Sequence, residues 1–204
     1  MSTSTAPNGL RTMRIDWAAQ DGDKPSVALG KQNDAFCLVW ANEEERQRRG
    51  GAWATDLSVL ADIDPFPGFG LNGSQMIWVK TYSENQGLLP QLERAGWVRA
   101  VGSALKQGLT TLPLAEVVLK EAEIAQRCAL CETFESVETE TRFKRCSKCR
   151  RRFYCSTEHQ HQHWDAHKKD CKLLAKGQFG EVEQRRREQS YNPALSEVDQ
   201  AEEA

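Results

Sequence analysis

The residues that can do chemistry in this 204-residue chain are six cysteines and four histidines gathered between Cys128 and Cys171. Eight of them stand as four pairs. Cys128-x2-Cys131 and Cys146-x2-Cys149 have the spacing of a tight turn that brings two sulfurs to one metal. Cys155-x3-His159 and His167-x3-Cys171 have the i, i+4 spacing that points two side chains from one helical face. A Zn2+ ion takes four N or S ligands in a tetrahedron, with Zn–S about 2.3 Å and Zn–N about 2.0 Å. Four pairs therefore supply two closed sites. A site with no open position activates no water, so both zinc ions are expected to be structural. Spacing alone leaves two points open: whether the pairs share ions in sequence order or interleave, and whether His161 or His163 replaces His159.

The seventh cysteine, Cys37, lies far from the others. In a reducing compartment such clustering marks metal binding rather than a disulfide framework. The segment Met1 to Gly9 has no basic stretch followed by an apolar one. No apolar run approaches the roughly 18–20 residues that span a bilayer. The chain is therefore expected to be intracellular, nuclear or cytoplasmic, with no membrane partner. Charge is uneven under the overall −2: residues 126–177 hold 12 Lys/Arg against 7 Asp/Glu, between acidic flanks. Part of that excess offsets the negative charge of zinc-bound thiolates.

The elements that must position these ligands follow an α+β pattern. Residues 1–30 are polar and are expected to be largely disordered. Residues 31–122 are expected to form an α+β domain. Within it, Ala35–Trp40 is a buried strand, and Asn42 caps a helix with acids in its first turn. Gly50-Gly51 ends that helix, and Thr55 to Leu60 is expected to be a short amphipathic helix. Asp62 to Gly70 is a turn-rich loop. Gln75–Tyr82 is a strand, and Ser83 with Gln86 matches a capping box. The helix behind it starts late enough to keep Pro90 in its first turn and stops at Gly96. Trp97–Val101 and Thr110–Leu119 are two further strands. Residues 120–127 read as a linker, and residues 178–204 as a charged, largely disordered tail.

The stretch Tyr154-Cys155-Ser156-x2-His159-Gln160-x3-Trp164-x2-His167-x3-Cys171 resembles the MYND-type zinc finger. The resemblance covers about a fifth of the chain and places the finger at residues 128–171. It implies a cross-braced pair of zinc ions. One is held by Cys128, Cys131, Cys155 and His159, the other by Cys146, Cys149, His167 and Cys171. The family usually has Cys where this chain has His159, so both sites become Cys3His. The gap from Cys131 to Cys146 is long for the family, and Glu132 to Thr141 is expected to loop out. A finger this small cannot bury enough apolar surface to fold alone, and zinc supplies the difference. Phe153, Tyr154 and Trp164 are expected to form its small core. Ser156 or Thr157 is expected to cap one helix carrying His159, Trp164, His167 and Cys171. The α+β region followed directly by the finger also resembles fungal MYND-finger proteins.

The family resemblance implies a protein-interaction module that takes short, often proline-containing peptides, with Gln160 and Trp164 as contact residues. The alternative is a nucleic-acid-associated regulator using the basic run Arg142, Lys144, Arg145, Lys148 and Arg150–Arg152. Aromatics are not interleaved there in a stacking pattern. An enzyme is not expected. No histidine lies outside the finger, Cys37 sits in an apolar strand, and Asp62 and Asp64 read as turn chemistry.

Overall fold

The computed structural model describes residues 3–16, 24–32, 35–59, 75–139, 141–178 and 182. The first sheet runs Thr3–Thr5 (β1), Arg11–Arg14 (β2), Ser26–Gln32 (β3), Ala35–Trp40 (β4) and Trp53–Asp56 (β5), each antiparallel to the next. Helix Glu43–Arg49 (α1) joins β4 to β5. The second sheet holds Ser58–Val59 (β6), Met76–Val79 (β7), Val98–Gln107 (β8) and Thr110–Val117 (β9), in the spatial order β6-β7-β9-β8. Helix Leu88–Arg94 (α2) precedes β8. Ala125–Gln126 (β10) returns to the first sheet and runs parallel to β3. The α+β expectation holds.

Local chemistry explains the helix ends. The Asn42 side chain accepts from the Glu45 N–H at 2.9 Å, and acids at 43–45 face the helix N-terminus. Pro90 is the third residue of α2, where its missing N–H breaks no helical bond. Gly96 at φ 69° closes α2, with its N–H donating to Glu93 and that of Trp97 donating to Leu92. The Ser83 capping box does not form. Ser83 sits at φ 57° in the separate short turn Ser83–Asn85, and α2 starts after Gly87, which is left-handed at φ 77° and offers no side-chain cap.

β4 is apolar at every position because both of its faces are buried. Phe36, Leu38 and Trp40 join a core with Val27, Leu29, Leu57, Leu92, Trp97 and the inner face of the second sheet. Cys37 and Val39 point the other way, onto Leu10, Ala28, Ala125 and Phe134. Cys37 is the inert core thiol expected, with burial first and the Asp56 charge second pushing its pKa up to about 12.

Four expectations need correction. Residues 1–30 carry β1, β2 and most of β3, with Leu10, Met13, Ile15, Val27 and Leu29 fully buried. Their spaced apolar residues outweigh the polar average. Residues 53–59 form β5 and β6 rather than a helix, because β4 and β7 offer open edges for pairing. The supposed linker contains β10, and Ile124, Ala125 and Gln126 are buried. The insertion after Cys131 does not loop out, since Phe134, Glu135 and Ser136 are all buried. The Asp62–Gly70 loop and nearly all of residues 178–204 lie outside the described residues.

The insertion straps the cysteine-rich region onto the far face of the first sheet. Phe134 is seated over Gly30, where an added Cβ would lie 2.8 Å from Val39 Cγ1, 2.9 Å from Cys37 Sγ and 3.1 Å from Phe134. Gly30→Ala should therefore destabilise the protein by about 1–3 kcal/mol through overpacking. Urea denaturation checks this, and an unchanged midpoint would show that the strap yields freely.

Candidate metal centre

Two turns with the same geometry hold the four Cys-x2-Cys ligands. The N–H of Glu132 donates to the Cys128 carbonyl at 3.1 Å, and that of Arg150 donates to the Cys146 carbonyl at 2.9 Å. Both residues follow the second cysteine of their pair and both take left-handed backbone, at φ 64° and 55°. The turn carries that strain at a non-glycine residue, a cost of about 1–2 kcal/mol each. Lys144–Arg145 (β11) leads into the second turn and pairs with Phe153–Tyr154 (β12), which carries the chain on to the helices.

The remaining ligands come from Thr157–Gln162 (α3) and Trp164–Ala175 (α4). Ser156 caps α3, accepting from the His159 N–H at 3.1 Å, as expected. The single helix anticipated is broken at His163, so Cys155 and His159 flank the start of one helix while His167 and Cys171 sit one turn apart on the next. Tyr154 is fully buried and Phe153 partly so, but Trp164 is 41% exposed. The core of this region is instead Tyr154, Leu174 and Val182 around the second group of cysteines.

The ligand atoms converge in two groups: Cys128, Cys131, Cys155 and His159, and Cys146, Cys149, His167 and Cys171. The pairs interleave, first with third and second with fourth. In the first group Cys131 and Cys155 sulfurs are 3.7 Å apart, and His159 Nδ1 is 3.7 Å from Cys128 Sγ and 3.0 Å from Cys155 Sγ. In the second, Cys146 and Cys171 sulfurs are 4.0 Å apart, and His167 Nε2 lies 3.4 Å from Cys146 Sγ and 3.5 Å from Cys149 Sγ. A zinc tetrahedron has S–S edges of about 3.8 Å and S–N edges of about 3.6 Å. The donor sets therefore fit two zinc ions, one ring presenting Nδ1 and the other Nε2. His161 is exposed on α3, and His163 Nδ1 lies 3.1 Å from the Tyr154 hydroxyl, so neither joins a group.

The electrostatics of both groups favour a bound cation. Burial opposes ionisation of Cys128, but backbone N–H groups of Cys155, Cys131 and Leu130, with His159, outweigh it and bring that thiol down to about 6. Its neighbour Cys155 is pushed up to about 12, by burial first and then by Cys131 and Cys128. Cys171 is likewise pushed up to about 12 by burial and by the Cys149 and Cys146 charges. Without a metal, each first thiolate resists the next. A divalent ion removes that repulsion and holds all three sulfurs ionised.

The MYND finger model matches residues 124–171. Residues 124–171 are a MYND finger. A stretch of 46 residues is 46% identical to Egl nine homolog 1 of Homo sapiens, covering 22% of this chain and 9% of that protein. The likeness spans under a tenth of the relative's length. No solved structure matches. The finger is a zinc-binding protein-interaction module. Its boundary at 124 takes in β10, so the MYND finger begins inside the first sheet rather than after it.

The residues that dock this MYND finger were not foreseen. Arg46 of α1 is buried and donates to the carbonyls of Trp40 at 3.0 Å, Phe134 at 3.0 Å and Glu135 at 2.7 Å. The Glu135 carboxylate, whose side chain is fully buried, accepts from the backbone of Gln126 and Phe143 and pairs with Arg142 at 2.8 Å. Asn8 donates to the carbonyls of Ser136 and Thr139. Asn, Arg and Glu in polar stretches carry no sequence signal of burial, because their burial depends on partners far along the chain.

Proposed function

We propose that the chain is an intracellular zinc-binding adaptor whose finger recruits a partner protein through a short proline-containing segment. The observation that carries this reading is the exposure of Trp164. A large indole at the first turn of α4, 41% exposed, costs hydration free energy unless a partner covers it. Its ring stands edge-on to His167 at 6.0 Å, so the zinc site props it from behind. Gln160 is half-buried on α3, across the His163 break. An indole and an amide side chain suit a polyproline II segment, which stacks its rings on the first and whose carbonyls accept from the N–H groups of the second.

The nucleic-acid alternative has less support. Arg142 is engaged with Glu135, Arg145 pairs with Glu121 at 2.9 Å, and Arg152 is buried. The basic run is thus partly used inside the fold rather than presented as one face. Among the described residues no helix is long and apolar enough to cross a membrane.

Titration of proline-containing peptides into the zinc-loaded full chain tests the proposal. Trp164→Ala should weaken binding tenfold or more and leave two zinc ions per chain. Binding that ignores Trp164, or that collapses steeply with added salt as phosphate contacts do, would count against the proposal.

A further inference from the structure

The two metal groups have the same ligand types and different access. All four ligands of the second, Cys146, Cys149, His167 and Cys171, are buried. In the first, Cys128 is buried and His159 half-buried, but Cys131 and Cys155 are exposed. Each group has three cysteines and one histidine, so both bear the same net charge when loaded. Zinc keeps a cysteine sulfur ionised, and the thiolate is the nucleophilic form. The sulfurs of the second group pack with Tyr154, Leu174 and Val182. Two residues of the first meet solvent, and with it any small oxidant. They belong to different pairs, one in the turn after β10 and one just after β12, and their sulfurs lie 3.7 Å apart.

We infer that Cys131 and Cys155 are a peroxide-oxidised pair, through which a hydroperoxide releases the first zinc ion while the second stays bound. The two sulfurs are not equal. Thr133 Oγ1 lies 3.0 Å from Cys131 Sγ. Toward a thiolate that hydroxyl can only donate, which lowers the nucleophilicity of Cys131. Cys155 therefore reacts first. Its thiolate attacks one peroxide oxygen, forming an S–O bond and breaking the O–O bond, and leaves a sulfenic acid and a hydroxide. The Cys131 thiolate then attacks that sulfur, forming the S–S bond and expelling a second hydroxide. The sulfurs give up two electrons, the peroxide takes them, and two protons from solvent turn the hydroxides into water. Cys128 and His159 alone remain as donors, too few for a tetrahedral site. The segment after β10 and the start of α3 lose their metal tie, while α4 keeps its own. The Gln160 side of the peptide face is then uncoupled from the Trp164 side. That consequence rests on the reading of the face given above; the metal loss does not.

The test exposes the zinc-loaded full chain to hydrogen peroxide beside a chromophoric chelator too weak to strip the untreated protein. One zinc ion per chain should be released at least tenfold faster than the other. Peptide mapping at that point should find a Cys131–Cys155 disulfide, with Cys146, Cys149 and Cys171 still reduced. A thiol reductant with added zinc should restore two ions. Dimedone, which traps sulfenic acids, should label Cys155. Thr133→Val, at an exposed position, should bring label to Cys131 as well and leave two zinc ions before oxidation. Release of both ions together, of the second group's ion first or of neither would each overturn the assignment. So would a disulfide between Cys128 and Cys131, or a dimedone label that ignores Thr133→Val. No peptide enters the measurement, so its failure and failure of the proline-segment reading are distinguishable.

Discussion

Cys146→Ala should leave one zinc per chain and unfold the finger around the second site. Native mass spectrometry of the unaltered chain should count two zinc ions, and the variant one or none. The second group is the more consequential because all four of its ligands are buried, whereas Cys131 and Cys155 of the first are exposed. Structural zinc in a finger supplies on the order of 10–16 kcal/mol. That equals or exceeds the roughly 5–15 kcal/mol net stability of a whole domain. Few apolar side chains share the centre with Cys146, so nothing of comparable size replaces the metal. Acid should do the same reversibly. Cys155 and Cys171 hold their protons up to about 12 without metal, so zinc must displace them. Protons and zinc compete for the same sulfurs, and the metal is released as pH falls, never as it rises through neutrality. A chain that keeps two zinc ions after Cys146→Ala would refute the eight-ligand assignment.

Arg46→Ala should destabilise the protein by about 3–5 kcal/mol without loss of zinc. The guanidinium is buried, and burial pulls its pKa down, with Glu43 and Glu138 partly restoring it. It supplies donors to three carbonyls, two of them on the strap. Removing it leaves buried acceptors unpaired, at about 1–3 kcal/mol each. Arg46→Lys should recover little, because one ammonium cannot reproduce a planar fork aimed at three oxygens. Urea denaturation with zinc counted in parallel would check both variants. A midpoint that does not move would mean that the strap contributes no stability.

The metal site was legible because its signal is local: pairs of cysteine and histidine at turn and helix spacings state their own chemistry. The apolar strands β4, β7 and β9 were legible for the same reason. Their β-branched and aromatic residues are dense enough to be seen without knowing a partner. What escaped was non-local. Glu135 looks solvated until Arg142 and two backbone N–H groups close on it. Arg46 looks like one charge among several on α1 until the strap arrives. Thr55 to Leu60 has a helix-like pattern, yet the waiting edges of β4 and β7 decide the conformation of its described part, up to Val59. Trp164 was assigned to a core it does not join, since spacing cannot tell a buried indole from one left outside. The interleaved pairing came from family resemblance, and the geometry agrees with it.

The strap also sets a timetable. Asn8 bonds to Ser136, 128 residues later in the chain, and β3 meets β10 almost as late. At a synthesis rate of roughly 5–20 residues per second, Asn8 waits about 6–26 s for its partner to be made. During that interval the outer face of β3 and β4, with Ala28, Cys37 and Val39, has no Phe134 to cover it. The nascent first sheet is therefore an adhesive, thiol-bearing surface for seconds, and the arrival of the cysteine-rich segment ends its exposure. An N-terminal fragment stopped before residue 124 would keep that surface permanently.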